Sequence, residues 1–178
     1  MGLTIRITSK LAKRVKEPLT VDPTTSTGLL GDWYANLLYI ERQQFILAIS
    51  EKTLLPLLIP AKDAKQFPKR MVESLEDSLA ALNIPKEQIA KELAEMSSWA
   101  FAKTASRQIL GVMTDFGKAL DFYVGRGETL LQLQARLVET PCSPIGMDSP
   151  VESTCKLFGV SSPRSRWLKS TPHLRPVH

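Results

Sequence analysis

Trp33-Tyr34-Ala35-Asn36-Leu37-Leu38-Tyr39-Ile40-Glu41-Arg42-Gln43-Gln44-Phe45-Ile46-Leu47-Ala48-Ile49 is the stretch that decides the fold. Two almost continuous apolar runs flank the polar residues Glu41 to Gln44, the pattern of a hairpin between two well-buried strands. A third run, Leu54 to Ile59, contains Pro56, which has no N–H to give to a ladder. It therefore reads as an edge strand or a strand start. Upstream, Leu3, Ile5 and Ile7 alternate with Thr4, Arg6 and Thr8, a strand with one buried face. Ser9 is placed to cap a short helix through Lys16, and Pro18 to Gly28 read as a loop.

Beyond Pro60 the period changes from two to between three and four. Met71, Val72, Leu75, Leu79 and Leu82 form one helical stripe, and Ile89, Leu93 and Met96 form another after Pro85. Charged pairs such as Lys91 and Glu95 mark the outer face of that helical hairpin. Trp99, Phe101 and Lys103 suggest a short strand, after which Thr104 or Ser106 caps a long helix to about Val124. Glu128 to Val138 read as one more helix, and from Thr140 the Pro, Ser and Gly density predicts irregular chain. The expected class is α+β: an antiparallel sheet, made of the N-terminal strand and the meander, packed against the helical hairpin and the long helix.

The 178 residues, 43% apolar and 23% charged, suit one soluble domain. Uncharged apolar stretches such as Thr53 to Ala61 fall far short of the ~18 residues of a membrane span, and the N-terminus has no secretory pattern, so a cytoplasmic chain without membrane association is expected. Two cysteines agree with a reducing compartment. The net charge of +5 is unevenly spread: residues 1–20 carry five basic side chains against one acidic, as do residues 151–178, and the middle is mildly acidic. Basic ends of this kind attract phosphate without sequence preference, or simply keep a chain soluble. The expected layout is one domain over residues 1–152 and a basic tail over 153–178. Within that tail Arg164, Arg166, Trp167 and Lys169 form a candidate anchor for a partner or an anionic surface.

Both histidines, His173 and His178, fall in that tail, which removes a histidine base from the fold and with it any Ser or Cys triad. Two separated cysteines cannot build a zinc site, and no glycine-rich phosphate loop follows a strand. No metal and no cofactor is therefore expected. Glu51 and Lys52 are adjacent on a strand end and point to opposite faces, and Asp115 and Asp121 lie about 240° apart around a helix. Two constellations remain. Asp32, Trp33 and Asn36 start an otherwise apolar strand, where the Asn36 amide needs partners. Lys103, Arg107 and Asp115 surround a strand-to-helix junction whose free N–H groups favour anions. These residues form either an open anion site or a buried polar network of Asp32, Asn36, Arg107 and Asp115, with Gly111 allowing close approach.

The runs Gly31-Asp32-Trp33-x-Ala35-Asn36-Leu37-Leu38, Phe101-x-Lys103-Thr104-x-x-Arg107-x-x-Leu110-Gly111-x-Met113-x-Asp115 and Thr140-Pro141-x-x-Pro144-Ile145-Gly146 together resemble an uncharacterised bacterial domain family of unknown function. The resemblance covers about residues 1–152 and implies a bacterial or phage-like setting but no activity. Three functional readings follow. The first is a non-enzymatic binding or regulatory module acting through a protein partner, with nucleic-acid contact through the basic ends. The second is a toxin-like nucleic-acid-processing enzyme using Lys103, Arg107 and nearby carboxylates. The third is a subunit of a homo-oligomer, marked by an exposed apolar patch on the sheet.

Overall fold

The computed structural model describes residues 2–124 and 126–163. It contains β1 (Leu3–Ile7), α1 (Ser9–Val15), β2 (Leu19–Thr20), β3 (Trp33–Ile40), β4 (Gln43–Ser50), β5 (Pro56–Pro60), α2 (Phe67–Ala81), α3 (Lys86–Glu95), β6 (Trp99–Lys103), α4 (Arg107–Val124), α5 (Leu130–Val138) and α6 (Pro150–Phe158). The six strands form one sheet in the order β2-β6-β1-β3-β4-β5. The α+β class holds. The meander β3-β4-β5 is antiparallel, whereas β1 pairs in parallel with both β3 and β6, and β2 in parallel with β6. Parallel neighbours need long crossovers. Here the whole segment from β3 to α3 lies between β1 and its neighbour β6.

The β3–β4 hairpin closes on Glu41 and Arg42, both with positive φ, the two-residue turn whose twist matches that of its strands. β5 begins at Pro56 and lies at the edge of the sheet, where a missing donor is tolerated. Strand alternation then sorts the side chains into two cores. Leu3, Ile5, Ile7, Trp33, Ala35, Ile46, Ala48, Leu57 and Ile59 point to one face, which α1, α2, α3 and α6 cover with Leu11, Phe67, Met71, Leu75, Ile89 and Phe158. Tyr34, Leu47, Ile49 and Leu58 point to the other, against Ile109, Met113, Phe116 and Leu120 of α4. The second core draws no residue from β1, β2 or β6, so the second face of the parallel half has no helix over it.

α5 lies along the β5 edge and feeds both cores, Ala135 and Val138 into the first and Leu133 and Leu137 into the second. Between those pairs the Gln134 side chain accepts from Leu58 N at 3.0 Å and donates to Ser78 Oγ of α2 at 3.2 Å. The sheet edge is thus satisfied by a helix in place of a strand.

Three local expectations change. The cap of α1 is Thr8, whose hydroxyl accepts from Leu11 N, and Ser9 is the first helical residue. The Pro- and Ser-rich segment after Thr140 does not stay irregular: it makes a 3-10 turn at Ser143–Ile145 and then α6. α6 has a reciprocal capping box between Ser149 and Glu152, Pro150 in its first turn and Gly159 with φ 69° at its C-terminal cap. It therefore crosses the boundary expected at residue 152. Thr154, Cys155 and Phe158 are buried, because α6 closes the first core beside α5.

Candidate functional site

The site grows from the first strand. β3 begins opposite Ile5, so the N-terminal half of β1 lacks a ladder partner on that side. The loop before β3 fills the gap: Thr4 N donates to Ser26 Oγ at 2.9 Å and the Thr4 hydroxyl donates to Thr24 O at 2.6 Å. Asp32, 2% exposed, fixes the end of that loop by accepting from Ser26 N at 2.9 Å and from Arg6 Nε at 2.8 Å. Asp32 N in turn donates to Glu51 Oε2 at 3.3 Å, and Gly31, at φ 76°, leaves room for that carboxylate: a Cβ there would sit 3.0 Å from it. The same loop is held from the other side by Glu92 of α3. This buried carboxylate accepts from Leu29 N at 2.7 Å and Leu30 N at 3.0 Å, and the Thr27 hydroxyl donates to Glu95.

Arg6 reaches from the second face of β1 toward the carboxyl ends of the strands, where its Nη1 donates to Lys103 O at 3.2 Å. A cleft of about 270 Å³ opens there, bounded by Arg6, Thr20, Lys103 and Thr104 and by the apolar side chains of Leu19 and Val21. Beside it, the buried Tyr34 hydroxyl has a raised pKa because burial disfavours the phenolate; the Arg6 charge opposes this, the Glu51 and Asp32 charges add to it, and a backbone hydrogen bond from Ser106 opposes it.

The residues singled out from the sequence do not form one group. Trp33 is fully buried in the first core and contacts no solvent. Asn36 is half-buried and accepts from the Thr8 hydroxyl at 2.7 Å, which ties the cap of α1 to β3. Lys103 lies in the cleft, and Arg107 is exposed on the first residue of α4. Asp115 is exposed two turns further on, along a separate groove between α4 and the 140–147 segment. Neither Arg107 nor Asp115 pairs with Asp32; the buried network is Asp32 with Arg6 and Ser26. Gly111 is open to solvent, and a Cβ there would meet nothing within 4 Å, so it permits no close approach. Arg164, Arg166, Trp167 and Lys169, like both histidines, lie outside the described residues.

Two further features bear on chemistry. Cys142 and Cys155 are buried free thiols, each pushed up to about 11, mainly by desolvation. At the far end of α4, Phe122 is exposed, with the Arg126 guanidinium 4.7 Å from the Phe122 ring centroid and Arg136 4.6 Å from that of Tyr123. Among the described residues no group of three or more His, Cys, Asp or Glu side chains stands together as a metal site. No described helix is long and apolar enough to cross a membrane.

A mixed sheet with two helical layers and a pinned loop before β3 defines an α+β domain with a small cleft at the carboxyl ends of β1 and β6. The chain belongs to the family described as a domain of unknown function, DUF6933, whose model matches residues 4–153. Neither the curated proteins nor the solved structures contain a match to it.

Proposed function

We propose that this chain is a non-enzymatic binding or regulatory module of a bacterial or phage-like system, working in the cytoplasm through a protein partner. The observation that carries the reading is the cluster at the end of α4: exposed Phe122, edge-on to Tyr123, with the Arg126 guanidinium over both rings. Aromatic and arginine side chains dominate the energetics of protein interfaces, because they bury large area and still hydrogen-bond at their tips. Arg126 makes no close ion pair among the described residues, though its charge also acts on Glu128, and this suits a partner with an acidic rim around an apolar centre.

Support also comes from how the reactive groups are used. Asp32 is committed to Arg6 and Ser26, Tyr34 is buried, and the two thiols are protonated at neutral pH. Lys103 and Asp115 line different clefts, which weakens the alternative of a small nucleic-acid-processing enzyme. Nucleic-acid contact through the N-terminal end draws support from α1, where Lys10, Lys13 and Arg14 are exposed around the buried Leu11 and Val15.

The test uses the full chain as bait in extract of its own host, with Phe122→Ser as control. A partner retained by the wild type and lost with F122S, at unchanged melting temperature, supports the module. Equal retention by both removes the α4 surface from the reading. Incubation with labelled RNA and DNA in magnesium checks the alternative: cleavage that disappears in Lys103→Ala would replace the module with an enzyme.

A further inference from the structure

β1 and its parallel neighbour β6 send their following helices to opposite faces of the sheet. α1 leaves β1 for the first core and α4 leaves β6 for the second, so the chain diverges at the carboxyl ends of two adjacent strands. In open sheets with parallel strands, such a point leaves a crevice that side chains cannot fill, and ligands bind there. In this chain the crevice is the cleft between Arg6 and Lys103.

We propose that this cleft binds a small phosphate-bearing metabolite, separately from any protein partner. Its polar lining is cationic and hydroxylic: Arg6, Lys103, Thr20 and Thr104, with no carboxylate among the lining side chains. Asp32, the acid nearest to Arg6 in the network, is turned inward and holds Arg6 through Nε. Nη1 is held by Lys103 O, which leaves the Nη2 amino group of a largely buried guanidinium without a hydrogen bond among the described residues. A side chain braced at two of its three nitrogens presents the third in a fixed direction, and little entropy is lost when an anion takes it. The Lys103 ammonium makes no ion pair among the described residues and supplies the second charge. The Leu19 and Val21 wall offers an apolar surface for the organic part of the ligand. The volume, about 270 Å³, is at the small end for organic ligands. Two guanidinium- or ammonium-type donors with flanking hydroxyls favour a dianionic phosphate over a carboxylate.

The experiment is a thermal melt of the full chain against sodium phosphate and against sodium acetate, each matched to sodium chloride at equal ionic strength and pH. Saturable stabilisation by phosphate beyond chloride is expected, following the mass action of a ligand that binds only the folded state. Lys103→Gln, at an exposed position, is expected to weaken the apparent affinity about tenfold at an unchanged melting temperature without phosphate, and Thr104→Val to weaken it less. Lys13→Gln with Arg14→Gln on α1, and Arg164→Gln with Arg166→Gln near the C-terminus, leave it unchanged. Saturation by acetate as well would make the ligand an oxyanion of either type and overturn the phosphate assignment. No saturable effect, or an effect lost with the α1 or C-terminal substitutions and kept in K103Q, would overturn the site itself.

Discussion

Gln134 on α5 takes the place of a seventh strand for Leu58: its Oε1 accepts the outward N–H of β5 at 3.0 Å, and its amide nitrogen donates to Ser78 of α2. One side chain thereby satisfies the sheet edge and joins two helices to it.

Gln134→Leu keeps the volume and leaves Leu58 N unpaired in a buried setting. The expected loss is about 1–3 kcal/mol, read from urea unfolding at constant m-value, together with faster hydrogen exchange at the Leu58 amide. An unchanged midpoint would mean that water replaces the glutamine there.

Arg6 and Asp32 are unequal partners, since Asp32 is the more deeply buried of the two. Arg6→Met leaves a carboxylate in the interior without its counter-charge and is expected to cost about 3–5 kcal/mol. Asp32→Asn retains an acceptor for Ser26 N and should cost less. Chemical denaturation of both variants decides the order; a larger effect for D32N would reverse the assignment of which group the pair exists to satisfy.

Glu92 and Gly28 are coupled through the loop. A Cβ at residue 28 would sit 2.6 Å from Glu92 Oε1, so Gly28→Ala must displace the carboxylate from the two amides it holds. Both Gly28→Ala and Glu92→Ala are expected to lower the melting temperature, and the double variant should fall short of the sum. Additive effects would show that the two residues act separately.

Burial raises the Tyr34 pKa above the ordinary tyrosine value of about 10. The folded state therefore holds this proton at a pH where the unfolded chain releases it. That contribution is complete below pH ~10 and is lost as pH rises through the folded value. Tyr34→Phe is expected to flatten the fall of stability in alkali, with urea midpoints across that range as the measure, and to leave the tyrosinate absorbance of the other two tyrosines in place.

Thiols at about 11 are almost wholly protonated at pH 8. Ellman's reagent should react with Cys142 and Cys155 at least ~100-fold more slowly in the native protein than after denaturation. Fast native reaction at either would show that its burial is only transient.

The sheet's hairpin, its edge strand and most helices were readable because apolar period reports which face is buried. The α+β class followed from that alone. The site was less legible. Arg6 alternates with apolar neighbours and so looks like a solvent-facing strand residue, although it is braced by Asp32 across 26 positions of sequence. Spacing cannot express such a contact. Glu92, Gln134 and Thr154 did leave a signal: each lies three or four residues from buried apolar positions of its own helix, Ile89 and Met96, Leu137 and Val138, Val151 and Phe158. A polar residue on an apolar stripe needs a partner. α6 was hidden by prolines and serines that belong to its cap, for Ser149 with Glu152 is the sequence signature of a helix start. Gly111 misled because a helical glycine suggests close packing, and this one faces open space.

α6 also carries a consequence for how the chain assembles. The Thr154 hydroxyl donates to Thr53 Oγ1 across 101 positions, and Thr53 shares a hydrogen bond with Ser50 at the turn between β4 and β5. β1 waits similarly for β6 before its second edge is paired. Contacts of such long separation are formed late, after the intervening loop has been closed. On the ribosome, then, the meander can form early, but its first core stays open at one corner until the residues of α6 have left the exit tunnel. Folding of this domain is completed from its C-terminal end.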